Sequence, residues 1–154
     1  MKKILEFPAC ANEKVPEAEG PFYHRTDIQT RFNDYDMFGH MNNNVYMQLL
    51  DLAKVNYFEA VMGGPMKVTG VCVVVVNVNV SFFSPSLPGE PLTVVSRCMK
   101  LSARSFTLEQ RVLNPRSGDV KCVATTVMAG FDTDTKQGAP IPEDWAVALR
   151  EWES

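Results

Sequence analysis

Several features that would settle the biochemistry of this chain at a glance are scarce or missing. Its four cysteines, Cys10, Cys72, Cys98 and Cys122, stand singly, with no C-x-x-C pair and no histidine beside any of them. That spacing excludes a zinc finger and predicts reduced thiols in a cytoplasmic protein. Histidine is scarcer still, with His24 and His40 alone, so no metal site is expected.

No apolar run approaches the ~20 residues that cross a bilayer as a helix. The longest, Val71 to Val76, has the length of a strand, which excludes a membrane span. Met1 to Ala11 imitates a secretion signal only faintly, because Glu6 and Pro8 interrupt any apolar stretch. Basic residues do not dominate either: the formal net charge is -3, which argues against a general nucleic-acid binder. An anionic ligand would therefore have to meet a local basic patch. What is present, 154 residues with 45% apolar and 21% charged, is the composition of one globular core.

The chain divides by pattern. Residues 1–21 mix charge, proline and glycine without a period and read as an irregular arm with little function, ahead of a single domain over 22–154. Phe22 to Phe32 reads as a first strand ending in the polar cluster Asn33 to Asp36. Asn42, Asn43 and Asn44 are residues of the kind that caps helix starts, and Val45 to Met62 follows without proline or glycine. Tyr46, Leu49, Leu50, Ala53, Tyr57 and Val61 recur there at spacings of three and four, giving one apolar stripe, and Gly63-Gly64-Pro65 stops the helix.

Four further strands are predicted at Val71 to Phe83, Leu92 to Lys100, Phe106 to Leu113 and Val120 to Phe131. Their short connections predict a meander of antiparallel neighbours. One helix between a first strand and four more must lay its stripe on the sheet, so the fold class is α+β. The uncovered face or edge of such a sheet predicts a symmetric assembly, a homodimer or homotetramer.

Chemistry-bearing residues concentrate in one place. Asn33 to Asn44 holds two carboxylates, Asp34 and Asp36, one of the two histidines, and the predicted helix start. A helix start presents unpaired N–H groups and the positive end of the macrodipole, which can polarise a carbonyl and hold an oxyanion. A carboxylate just ahead of it could attack that carbonyl or deprotonate a water that does. Spacing alone favours the plainer reading, in which Asp34 and Asp36 make Asx-turns.

Asp34-Tyr35-Asp36-Met37-Phe38-Gly39-His40-Met41-Asn42-Asn43, followed by Tyr46, resembles the D-x-D-x-x-G-H-x-N-N-x-x-Y signature of the 4-hydroxybenzoyl-CoA thioesterase-like hotdog family. The resemblance runs on through Phe82-Phe83, Leu87-Pro88-Gly89-Glu90 and Arg104-Ser105-Phe106 to Ile141-Pro142-Glu143, covering about Thr26 to Pro142. It implies a hotdog fold, an antiparallel sheet of about five strands wrapped around one long central helix. It also implies an acyl-CoA thioesterase that needs no cofactor, CoA being part of its substrate.

Carried over residue by residue, the resemblance makes Asp36 the catalytic carboxylate. The backbone N–H of Asn43 then points at the thioester oxygen, and Gly39 lets the loop approach the acyl group. His40 orients water or the carbonyl, unless it only hydrogen-bonds a loop; His24 reads as structural. Arg104 and Ser105, with Lys100 nearby, match the place where the family meets CoA, against the alternative of a solvated hairpin. The fold also hosts dehydratases and non-catalytic acyl binders. A dehydratase is disfavoured because the helix carries Asp51 and Glu59 but no histidine, and hydrolysis assays separate the binder.

Overall fold

The computed structural model describes residues 2–66 and 70–154; Met1, the first residue of the expected arm, lies outside them. Eight elements follow one another: β1 (His24–Ile28), α1 (Asn43–Met62), β2 (Val71–Phe82), β3 (Leu92–Leu101), β4 (Ser105–Leu113), β5 (Val120–Asp132), β6 (Gln137–Gly138) and α2 (Glu143–Glu153). The strands form one antiparallel sheet in the order β1-β3-β4-β5-β2, with β6 paired to β5.

The helix arises as the sequence predicts, shifted by two residues. Asn42 is the cap, its side chain accepting the Asn44 N–H at 3.0 Å, so Asn43 and Asn44 lie inside the first turn. Gly63 ends α1 in the left-handed conformation at φ 74°, where a side chain would be strained, and donates its N–H to the Glu59 carbonyl. The apolar stripe is buried: Tyr46, Leu49, Leu50 and Ala53 meet Val94, Val112, Cys122 and Ala124 of the sheet. Alternation along β3 sends Val94 to this inner face and Val95 to the outer one.

Four expectations need correction. The sheet has six strands rather than about five, because the short β6 folds back on β5. The first strand stops at Ile28, and Phe32 to Asp34 forms a single 3-10 turn with Phe32 99% exposed. The four later strands are not a simple meander: only β3, β4 and β5 are consecutive neighbours, while β2 lies at the far edge beside β5. Finally, α1 is not the only helix; α2 packs Trp145, Ala146 and Leu149 on Tyr57 and Phe58 of α1 and on Phe106 and Leu108 of β4.

A bulge between Val75 and Asn77 explains why the apolar run of β2 gives way to alternation there, since one extra residue re-aims the rest of the strand. The N-terminal segment is irregular, and it lies on the outer face of the sheet. Leu5, Phe7, Cys10, Val15 and Phe22 pack on Val95, Leu113 and Val120. Beneath it Glu109 is buried between two arginines, 2.7 Å from Arg97 and 3.0 Å from Arg111, and Arg111 also donates to the Pro16 carbonyl at 2.6 Å.

Candidate active site

The loop between β1 and α1 is shaped by its two aspartates, which do different work. Asp34 is buried and accepts the backbone N–H of Arg31 at 2.7 Å and the Arg31 guanidinium at 2.9 Å. Burial alone would raise this carboxyl, but the hydrogen bonds and charge of Arg31 outweigh it and hold Asp34 below its ordinary value. Its carbonyl accepts the Asn42 N–H at 3.0 Å, so Asp34 ties the loop to the helix cap.

Asp36 faces solvent two residues later. Its Oδ1 accepts the Phe38 N–H at 2.9 Å and the His40 N–H at 3.4 Å, while no described residue donates to its Oδ2. The Asx-turn that spacing favours is thus formed, with half of the carboxylate left over. The turn needs Gly39, which adopts φ 74° and donates its N–H to the Asp36 carbonyl at 3.0 Å. Asp36 in turn donates its N–H to the His40 carbonyl at 2.9 Å, closing the loop on itself.

At the helix start the backbone donors can be counted. The Met41 N–H goes to the Ser86 carbonyl, the Asn42 N–H to Asp34, the Asn44 N–H to the Asn42 side chain, and the Val45 N–H to the Asn42 carbonyl. Among the described residues none accepts the Asn43 N–H. Asn43, Asp36 and His40 line one cleft of about 450 Å³, walled by Tyr46, Phe82, Phe83 and Pro85. The His40 imidazole makes no hydrogen bond among the described residues. A second cleft, of about 540 Å³, opens on the other side of Asp36 between Gly39, Tyr35, Phe32 and Pro88.

His40 and Asn43 of the signature therefore share a cleft with the Asp36 carboxylate, and Gly39 lines the second cleft beside it. Arg104 and Ser105 do not join them. They sit in the β3–β4 hairpin, paired with Ala129 and Gly130 of β5, whereas the cleft lies at the Phe82 and Cys122 end of the same strands. Seven residues of β5 separate the two places, roughly 23 Å at the rise of a strand.

The Thioesterase-like superfamily profile matches residues 30–149, a span that takes in the loop, the cleft and most of α2. The chain belongs to that superfamily. By family it is a thioester hydrolase, and its fold is the hotdog of such enzymes. A long-chain acyl-CoA thioesterase, FadM of Escherichia coli K12, is 26% identical over 118 residues, covering 76% of this chain and 89% of that one. A Thermus thermophilus thioesterase solved with coenzyme A and Zn is 26% identical, covers 84% of this chain and 98% of its own, and superposes with a TM-score of 0.71. A 1,4-dihydroxy-2-naphthoyl-CoA thioesterase from Synechocystis, 19% identical over 84% of this chain and 97% of that one, shares the fold at a TM-score of 0.74.

One residue bonded to the cleft wall, Ser86, escapes sequence reading. Tyr46 of the signature shares a 2.6 Å hydrogen bond with Ser86 Oγ in a fully buried setting. Burial raises the phenol above its ordinary value, so it stays protonated. A serine in the proline-rich stretch Pro85 to Pro91 reads as a turn residue, and no local signal couples it to a tyrosine forty positions earlier.

Proposed function

We propose that this chain hydrolyses an acyl-CoA to the free acid and CoA at the Asp36 cleft. The observation that carries the reading is that Asn43, whose N–H no described residue accepts, and Asp36, whose Oδ2 no described residue donates to, line the same cleft. Such a donor stabilises a developing oxyanion because it is already in place and already stripped of competing partners. Asp36 either takes a proton from water, whose oxygen then attacks the carbonyl, or attacks it directly through Oδ2. In both cases the oxyanion rests at Asn43 and the C–S bond breaks. On the water route the proton taken up by Asp36 passes to the departing CoA thiolate. On the direct route an acyl–Asp36 anhydride forms, which a water then hydrolyses to the free acid and the restored carboxylate, its proton going to the thiolate. His40 orients the water. The reaction so written needs no metal or redox cofactor.

Asp36→Asn is expected to lower kcat by roughly 10²–10⁴-fold while the thermal transition stays in place. Wild-type turnover in the variant would remove Asp36 from the chemistry. Single turnover in heavy-oxygen water tests for the direct route, since label entering the Asp36 carboxylate marks an anhydride opened at Asp36.

The reading includes an assembly. β2 is an edge strand of 12 residues with Val71, Val75, Val76, Val78 and Phe82 exposed, and exposed apolar edges seek a partner strand. Met37 at 91% exposed and Phe38 add apolar surface beside the cleft. Antiparallel pairing of β2 with a second copy reverses that copy. Its β3–β4 hairpin then lies at the end of the assembly where this chain's α1 begins. Arg104 and Ser105 thus serve as CoA contacts across a homodimer, with the sheet of each copy wrapped on its own α1. Residues 22–154 form the catalytic domain in this reading, and the arm of 1–21 serves to cover its outer face.

A further inference from the structure

The segment from Phe83 to Pro91 does not turn back as a hairpin would. β2 and β3 are separated by β5 and β4, so this segment crosses about 14 Å of sheet at the usual strand spacing. It makes that crossing at the end where α1 begins, and its anchors converge on one side chain.

Lys121 of β5 has 2% of its side chain exposed. Its Nζ lies 2.8 Å from Glu90 and 2.8 Å from Asp119, and it donates to the Pro85 carbonyl at 3.1 Å. An ammonium has three donors, and all three are used, two on the crossing segment and one on Asp119 just before β5. Each partner extends the hold: Glu90 accepts the Leu87 N–H at 2.9 Å and the Asn114 amide at 3.0 Å, and Asp119 accepts the Ser84 hydroxyl at 2.8 Å. The Lys121 carbonyl takes the Phe83 N–H at 2.8 Å.

The segment passes this fixity to the helix start through Ser86. Its carbonyl accepts the Met41 N–H at 3.0 Å, two residues before the Asn43 donor, and its hydroxyl meets Tyr46 one turn further on. A buried ion pair gives little net stability over apolar residues of the same shape, so what this network supplies is direction.

We propose that Lys121 and Ser86 are positioning residues for thioester hydrolysis, holding the start of α1 in place against Asp36 through the crossing segment. This rests on the roles given above to Asp36 and Asn43. A misplacement of about 1 Å can lower a rate by ~10²-fold, so loss of the Ser86 bond is expected to lower kcat by roughly tenfold.

The test compares Ser86→Ala, Tyr46→Phe, their double variant and Glu90→Gln on acyl-CoA, well below each thermal transition, with Asp36→Asn alongside. The expected result is a drop in kcat with KM changed less than about twofold. The double variant should lose no more than either single one, because both remove the same bond. Glu90→Gln, which leaves the buried lysine its other two partners, should also lower kcat, showing that the effect travels from Lys121. A Ser86→Ala variant with lowered thermal stability but wild-type kcat overturns the proposal, and so do additive losses in the double variant. If Asp36→Asn is inactive while Ser86→Ala runs at full rate, only the positioning role falls. If Asp36→Asn retains the wild-type rate, the reading of the site falls and this proposal with it.

Discussion

At its first turn α1 meets a cleft lined by Asp36, His40 and Asn43; at its last turns it meets Phe106, Trp145 and Leu149 in a packed interior. Both ends carry polar groups without protein partners, but the settings are opposite. At the start, Asp36 and Asn43 line an open cleft, where the proposed substrate would match the Asn43 N–H and Asp36 Oδ2. Near the end, His24 Nδ1, Trp152 Nε1 and Glu153 Oε1 are unmatched and buried around Tyr57. Under the proposed function, the same helix keeps ready donors for chemistry at one end and carries a desolvation cost for holding α2 at the other. The lesson is that an unsatisfied polar atom points to function only when something can reach it.

The largest effect expected at the sealed end is on stability. Trp145 stacks on Phe106 with centroids 6.1 Å apart and meets Phe58 edge-on at 5.0 Å. Trp145→Ala should cost about 3–5 kcal/mol in urea unfolding and leave kcat of the folded fraction within twofold. A large loss of kcat would show that the two ends are coupled.

A smaller effect concerns pH. Burial pushes the Glu153 carboxyl up to about 7, although the Cys98 N–H and the charges of Arg97 and Lys2 pull it the other way. The folded chain therefore holds this proton more tightly than the unfolded one. Its contribution is fully present below the ordinary value of 4.5, declines as pH rises through about 7, and is gone above it. Burial lowers His24, so the folded state resists its protonation, and stability falls as pH drops below the ordinary 6.5. Glu153→Gln cannot ionise and should melt higher than the wild type above neutral pH, with the gap closing toward pH 4.5. Equal melting temperatures on the alkaline side would mean that Glu153 is solvated in the folded chain.

The smallest effect ties the ends together across copies. Arg104→Ala should raise KM for acyl-CoA by about threefold to tenfold and leave a truncated thioester without the nucleotide unaffected. Mixed dimers of Arg104→Ala with Asp36→Asn should regain one site of wild-type KM, because each copy brings what the other lacks. Mixed dimers that show only the raised KM would place Arg104 in its own chain's site, against the strand separation described above.

How much can be seen in advance follows from where the determinants lie. The α1 stripe, its asparagine cap and its glycine stop are local patterns, and the helix is found within two residues of its expected start. The aspartate loop is legible because its whole machinery spans twelve positions. Strand order is not: short links favour neighbours, and nothing local says that Phe83 to Pro91 crosses the sheet. The second helix does carry a local signal beyond the expected elements, with Pro142 before it, Glu143 and Asp144 in its first turn, and Trp145, Leu149 and Trp152 on one face. Ser86 and Lys121 carry none, since Ser86 bonds Tyr46 forty positions earlier and Lys121 reaches Pro85 thirty-six positions earlier, with only Asp119 close in sequence.

The outer-face arm has a consequence for the order in which the molecule assembles. The bond from Arg111 to Pro16 closes a loop of 95 residues, so the arm, made before the strands it covers, has to wait for them to find its place. Until β4 stands, Arg97, Glu109 and Arg111 have no cover, and the nascent arm has nothing to lie on. The arm is in this sense the finishing layer of the sheet it covers.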